Sequence, residues 1–185
     1  MLLLALTTPK EEVKKRTDGL SVFIVDMNDA LNQGMSIKPI CTMMNHATTE
    51  IFLDEVRIPA ENLIGEEGMG FKYLLSGLNA ERILIAAECV GDAKWFIERA
   101  VHYSREREVF GREIGKNQGI QFPIAKCYAA MRAAELMVKS ACDKFDGGEN
   151  CGEEANMAKM LAADASWDAA NMCVQTHGSL AFAEE

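Results

Sequence analysis

With 185 residues the chain holds about one domain's worth of sequence. Its net charge of −9 argues against nucleic acid and acidic membrane surfaces as partners. A hydrophobic share of 49%, with only 7% aromatics and 11 methionines, predicts an aliphatic core of the kind helices build.

Residues 1–62 read as β-structure. Residues 2–8, 21–27, 35–43 and 48–59 are short runs rich in Val, Ile, Leu, Phe and Thr. Turn signals at Thr8-Pro9, Asp18-Gly19 and Asn32-Gln33-Gly34 separate them, and residues 10–16 form a charged excursion between the first two. Residues 1–6 are too short for a signal peptide, and no apolar run is long enough to span a membrane. The glycine-rich stretch 65–70 lacks the Lys-Ser/Thr of a P-loop and does not complete G-x-G-x-x-G. It reads as a flexible turn into a long helix whose buried part is residues 74–91. A second helix covers 118–145, with Pro123 near its start and Gly147-Gly148 after its end. A third covers 153–177 and ends at Gly178. The expected fold is α+β, with a β part over 1–62 and a mainly α part over 63–185. Four short strands make a poor independent core, and three helices leave a stripe uncovered where a bundle of four is intended. The chain is therefore expected to be cut from something larger.

The six cysteines contain no C-x-x-C pair and read as reduced, buried thiols of a cytosolic-type compartment. His46, His102 and His177 are scattered, so no metal site is expected. Trp95 and Trp167 are expected in the core.

The long helix carries one singular residue. Phe71, Leu75, Leu78, Ile85, Cys89 and Phe96 share one helical face; Ile83, Val90, Ile97 and Val101 make a second, and Tyr73, Leu84 and Trp95 a third. A helix apolar on most sides is packed on most sides. Glu81 sits in that section with Gly77, Leu78, Leu84 and Ile85 at helical-neighbour spacing, none of them cationic, and Arg82 points elsewhere. An acid in apolar surroundings has its charged form disfavoured, which poises a general base. The other reading is an acid at the edge of the buried sector that reaches water.

Several blocks together resemble the acyl-CoA dehydrogenase family: Phe52-Leu53-Asp54-Glu55-Val56-Arg57-Ile58-Pro59, then Asn62-Leu63-Ile64-Gly65 and Gly68-Met69-Gly70-Phe71, Arg107-Glu108-Val109-Phe110-Gly111-Arg112, Asn117-Gln118-Gly119-Ile120-Gln121-Phe122, and Gln175-Thr176-His177-Gly178-Ser179. The resemblance implies the second half of a β-barrel-like middle domain followed by a truncated four-helix domain. It implies oxidation of an acyl-CoA thioester to the trans-2-enoyl-CoA, with a glutamate removing the α-proton and FAD taking the β-hydride. Glu81, just before Arg82, falls on the position where isovaleryl and long-chain types carry that glutamate. Asn79 and Arg82 fall where the family contacts acyl-CoA. Arg107 and Gln118 match residues that reach the FAD of a neighbouring subunit, and Gln175, Thr176, His177, Gly178 and Ser179 match the turn that cradles the adenine-side half.

The resemblance further implies a homo-oligomer and electron-transfer flavoprotein or another acceptor as partner. It also implies a cytoplasmic site, or the mitochondrial matrix in a eukaryote. Where the family's last turn reads Gly-Gly-x-Gly, this chain has Gly178-Ser179-Leu180-Ala181, and Ala181 is expected to cost whatever left-handed backbone the final glycine allowed. The chain thus carries parts of an active site rather than a complete one. A non-catalytic helical interaction module and an acyl-CoA oxidase are the alternatives. A nitroalkane oxidase is disfavoured, because those enzymes use Asp as base.

Overall fold

The computed structural model describes residues 1–43 and 47–184; His46 lies outside the described residues. The chain packs as two compact units, Met1–Ser76 and Gly77–Glu185. The division falls inside a helix, later in the chain than the boundary at 62/63 read from composition.

In the first unit, β1 (Leu2–Leu6) pairs antiparallel with β2 (Leu20–Ile24), Leu4 opposite Val22. β2 stops at Ile24, short of the expected Met27. Asp26 accepts from the backbone N–H groups of Asn28 and Asp29 and so caps a short helix, α1 (Met27–Leu31). β3 (Met35–Ile40) pairs with β4 (Thr48–Leu53), Ile37 opposite Ile51. The strand expected to run to residue 59 ends earlier, and Glu55 takes left-handed backbone with φ 51° just beyond it. The two ladders are separate two-stranded sheets, and no closed barrel forms among the described residues. Their small core is Val25, Ala30 and Met35, with Leu3, Ile37, Val56 and Ile58 against it.

The glycine stretch 65–70, expected to be a flexible turn, is tied down. The Gly68 N–H donates to the Ser21 hydroxyl (2.9 Å), and that buried hydroxyl also bonds the Thr7 hydroxyl (2.8 Å). A Cβ on Gly65 would lie 2.5 Å from the Tyr73 ring, and φ there is +66°. Only glycine fits both conditions.

The second unit is a bundle of α2 (Gly70–Glu106, from Gly77 onward), α3 (Gln118–Asp146) and α4 (Gly152–His177). Its buried positions recur at three- and four-residue steps. On α2 they are Ile83, Ala86, Val90, Ala93, Ile97 and Ala100; on α3, Cys127, Met131, Ala134, Val138 and Ala141; on α4, Ala155, Ala158, Ala162, Ala165, Ala169 and Met172. Such a repeat makes one straight seam per helix. Because the seam of α4 is almost all alanine, α3 and α4 can approach most closely of any helix pair.

This corrects the reading of α2 as apolar on most sides. Only the face of Ile83, Val90 and Ile97 is buried; Leu75 and Ile85 are exposed, and Leu84 is 67% exposed. The face of Ile83, Val90, Ile97 and Val101 was read as apolar and is buried, but the faces of Leu75 and Ile85 and of Leu84 and Trp95, counted with it for their large side chains, are not. Trp95 (52% exposed) and Trp167 (71%) are likewise outside the core. Of the cysteines, Cys127, Cys151 and Cys173 are buried, Cys89 and Cys142 half-buried, and Cys41 exposed, so the expectation of buried thiols fails at Cys41.

An alanine seam cannot take a larger side chain without pushing the helices apart. Ala162→Leu should lower the unfolding free energy by about 1–3 kcal/mol through overpacking. Ala133→Leu, on the exposed side of α3, should change it by less than about 0.5 kcal/mol. Urea denaturation of the two variants beside the parent measures both.

Candidate active site

The antiparallel run of the three helices sorts the candidate residues into two groups at opposite ends of the second unit. One end gathers the start of α4, the end of α3 and residues 79–82 of α2. The other gathers the end of α2, the start of α3 and the end of α4. Glu81 and the last residue of α2, Glu106, are separated by roughly 38 Å of helix.

At the first end, Glu81 is exposed and makes no hydrogen bond or ion pair among the described residues. The expectation of an acid walled in by apolar side chains does not hold for this chain: Leu84 and Ile85, one turn ahead, face solvent themselves. The physical reason is the seam, which turns Ile83 and Ala86 inward and leaves position 81 on another side of α2. Arg82 is half-buried and donates from Nη1 to Asn79 Oδ1 (3.1 Å). Asn79 in turn lies against the first residue of α4, its Nδ2 being 3.8 Å from where a Cβ on Gly152 would stand.

Close to that end, Lys144 on α3 and Glu154 in the first turn of α4 form an ion pair. The hydrogen bond to Lys144 holds the Glu154 carboxyl below its usual range, and the same bond raises the Lys144 ammonium. The second carboxylate oxygen of Glu154 is buried with no hydrogen-bond partner among the described residues.

At the other end, α2 gives way to a tight hairpin, β5 (Glu108–Val109) and β6 (Arg112–Glu113). Phe110 and Gly111 at its tip have φ of 55° and 75°, the signature of a type I′ turn. A phenylalanine in left-handed backbone is an outlier, and this one is fully exposed. The Phe-Gly pair between polar residues was the sequence signal for this hairpin, and it was missed. Arg107 opens the hairpin, exposed, and its carbonyl accepts from the Ile114 N–H (2.9 Å). Gln118 begins α3, also exposed. Asn117 precedes it without a side-chain cap, because its amide oxygen receives Arg112 and its amide nitrogen donates to the Ile114 carbonyl. The N–H groups of Gln118 and Gly119 find no acceptor among the described residues.

Gln175 to Ser179 close α4 at this same end. The ring of His177 stacks on Tyr103 of α2 with centroids 4.3 Å apart. His177 Nδ1 lies 2.9 Å from the Cys173 carbonyl, an acceptor, so this nitrogen carries the proton. The Thr176 hydroxyl is buried and donates back to the Met172 carbonyl (2.8 Å), leaving only its backbone for any ligand. Gly178 has φ 63°, and Ser179 follows, exposed, in a 3₁₀ turn (Gly178–Phe182). Ala181 lies in that turn without left-handed backbone, so the cost expected from its missing glycine is not incurred. The arrangement is a cationic, N–H-rich rim on the α3 side and a carbonyl-rich helix end on the α4 side. Phosphate oxygens suit the first and the exocyclic amine of a nucleobase suits the second.

The family model for the acyl-CoA dehydrogenase C-terminal domain matches residues 68–185. The chain belongs to the acyl-CoA dehydrogenase family. An acyl-CoA dehydrogenase of Bacillus subtilis is 38% identical over 98% of this chain and 47% of its own length. A caffeyl-CoA reductase–Etf complex subunit of Acetobacterium woodii is 31% identical over 98% of this chain and 48% of its own. The structure of butyryl-CoA dehydrogenase from Megasphaera elsdenii superposes with a TM-score of 0.89 at 31% identity, covering 98% of this chain and 46% of that one. The chain thus spans about half the length of the acyl-CoA dehydrogenases it matches.

The Lys144–Glu154 pair sets a pH dependence for the helical unit. Glu154 is lowered in the folded state, so its stabilising contribution is complete above the ordinary glutamate range, about pH 4.3, and is lost as pH falls through the lower folded value. Glu154→Gln should flatten that part of the acid limb and leave the stability profile between pH 6 and 8 parallel to the parent's. Thermal unfolding by circular dichroism across pH 3–8 reads this out.

Proposed function

We propose that this chain supplies the proton-abstracting and nucleotide-holding residues of a flavin-dependent acyl-CoA dehydrogenase. The observation that carries the proposal is the division of candidate residues between two ends of one bundle. In a dehydrogenation, the base and the hydride acceptor must flank the same Cα–Cβ bond. Glu81 and Arg107 stand roughly 38 Å apart along α2, too far to serve one dinucleotide from a single chain. Two copies resolve this: one presents Glu81 to the acyl thioester, and the other presents Arg107 and Gln118 to the same cofactor.

The residues present fit FAD. Arg107 offers a fixed cation with paired donors for a pyrophosphate, and the uncapped start of α3 adds two free N–H groups beside it. The end of α4, from Gln175 to Ser179, offers carbonyls and an exposed amide to the adenine half. When bound, FAD supplies the acceptor for the hydride leaving the β-carbon. Glu81 takes the α-proton onto its carboxylate. Its exposure in this chain means that apolar surroundings for the base come from bound ligand and the rest of the enzyme, not from α2. Arg82, held by Asn79, offers a cation to the CoA thioester. Electron-transfer flavoprotein is the proposed acceptor; the Acetobacterium relative, named as part of an Etf complex, supports that choice. The same relative is a reductase. By microscopic reversibility, a Glu81 that removes the α-proton in one direction returns it in the other.

A non-catalytic module on this scaffold has no use for an unpaired glutamate at one end and an exposed arginine beside an uncapped helix start at the other. An acyl-CoA oxidase would use the same residues and differ in its electron acceptor.

Glu81→Gln in the complete enzyme should slow exchange of the substrate α-proton with D2O about 10²- to 10⁴-fold, while flavin absorbance stays at the parent's level. Exchange at the parent rate would place the base elsewhere. Arg107→Ala should lower the flavin content of the purified enzyme and weaken its oligomer together, one contact serving both. Gel filtration monitored at the flavin absorbance follows the two at once, and a variant with full flavin and full oligomer would remove Arg107 from the cofactor site.

A further inference from the structure

We infer that Tyr103 is a positioning residue that fixes the separation of the two halves of the proposed cofactor site, Arg107 just beyond α2 and the 175–179 turn at the end of α4; this rests on the dehydrogenase reading above. Tyr103 is tied to both. Its carbonyl accepts from the Arg107 backbone N–H (2.9 Å), which measures Arg107 off the last turn of the helix. Its ring stacks on that of His177 with centroids 4.3 Å apart and planes inclined by 21°. His177 is the last residue of α4, and the N–H of Gly178 after it bonds the Val174 carbonyl. The ring contact thus joins the final turn of one helix to the final turn of the other.

The need for such a contact follows from where the core stops. The last buried apolar positions are Ala100 on α2 and Cys173 on α4. Tyr103 and His177 lie one further step of the same helical repeat along each. Beyond the core, helix ends fray unless something holds them. A pair of flat rings is stiff and sets a spacing that flexible aliphatic chains would leave loose. The His177 ring is itself kept from turning, because Nδ1–H donates to the Cys173 carbonyl one turn back (2.9 Å). Beside Tyr103, a Cβ on Gly115 would stand 2.8 Å from the Ser104 carbonyl oxygen, so the segment after β6 also rests on this last turn of α2. Arg107 and the α4 turn therefore share one braced platform, and a dinucleotide that bridges them meets both at a fixed interval.

A pre-set spacing matters only to a ligand that touches both ends. In the complete enzyme stripped of flavin, Tyr103→Leu should raise the Kd for FAD about tenfold, the size of one lost aromatic pair. Tyr103→Phe keeps the ring and should stay within about twofold of the parent. His177→Leu removes the other ring and should match Tyr103→Leu, whereas His177→Phe keeps the stack and should recover most of the affinity. With Arg107→Ala already present, Tyr103→Leu should cost less than about twofold, since the spacing is immaterial once one of the two contacts is gone. Titration with FAD followed by flavin fluorescence measures each variant, with melting temperatures of the flavin-free proteins alongside.

A Tyr103→Leu protein that binds FAD as the parent does would overturn the inference. So would a Tyr103→Phe protein as weak as Tyr103→Leu, which would assign the effect to the hydroxyl. An undiminished loss in the Arg107→Ala background would make Tyr103 a general support of the fold and overturn it too. Should Tyr103→Leu fail to fold, the His177→Leu and His177→Phe pair carries the same comparison. A parent that takes up FAD while every ring variant matches it sinks only this inference; a parent that takes up no FAD brings the dehydrogenase reading down with it.

Discussion

The small-residue seam between α3 and α4 is the constraint on which the helical unit depends. Alanine adds almost no side-chain entropy to lose on folding, and it lets two backbones approach until their own atoms fill the gap. Close approach fixes the offset of the helices as well as their distance, since a slip by one residue would bring exposed positions such as Lys159 or Asp168 into a space sized for a methyl group. The seam therefore sets which residues of each helix reach each end of the bundle. The placement of Gln118 at one end of α3 beside Gln175 at the end of α4 is a consequence of that fixed offset.

The seam also bears on why the candidate residues stand at the ends of the unit rather than along its sides. A bundle core lined with methyl groups offers a ligand no polar group along its seam. What it offers instead are helix termini, with N–H groups at the start of α3, carbonyl groups at the end of α4, and the loops between them. Under the proposed function, an anion at one terminus and a thioester at the other would be served by one rigid body, with a second copy completing each site. Rigidity in the middle is what makes the two ends dependable.

Much of this was legible from the amino-acid sequence. The second and third long helices were located within a few residues, because Gly147, Gly148 and Gly178 mark their ends plainly, whereas for the first only a buried part over 74–91 was read and the helix runs on to Glu106. Arg107, Gln118 and Gln175 were picked out by the motifs around them, and the structure adds where they stand in the bundle. Less legible was which of three apolar faces of α2 turns inward, since that of Ile83, Val90 and Ile97 was read beside two that stay exposed. Large apolar residues such as Leu84 and Trp95 dominate any count by hydrophobicity, yet the buried positions are Ala86, Ala93 and Ala100, which look indifferent in such a count. The error carried over to Glu81, whose supposed apolar walls are exposed. The short helix after β2 was hidden because Asp26 ends a strand and begins a helix at once. Phe110 was passed over because a left-handed phenylalanine runs against residue preference.

The contact between Tyr73 and Gly65 has a bearing on how this chain can vary in length. The ring lies over bare backbone, and its hydroxyl receives the Glu66 N–H (3.2 Å), so the eight-residue step from one to the other is measured by a rigid aromatic ring. Adding or deleting a residue there would lift the ring off its seat. The connection between β1 and β2 carries no such gauge at its exposed tip, nor does the turn between α3 and α4 at Gly148. Insertions and deletions among natural variants should accumulate in those two places and spare residues 65–73, which act as the ruler that keeps the long helix in phase.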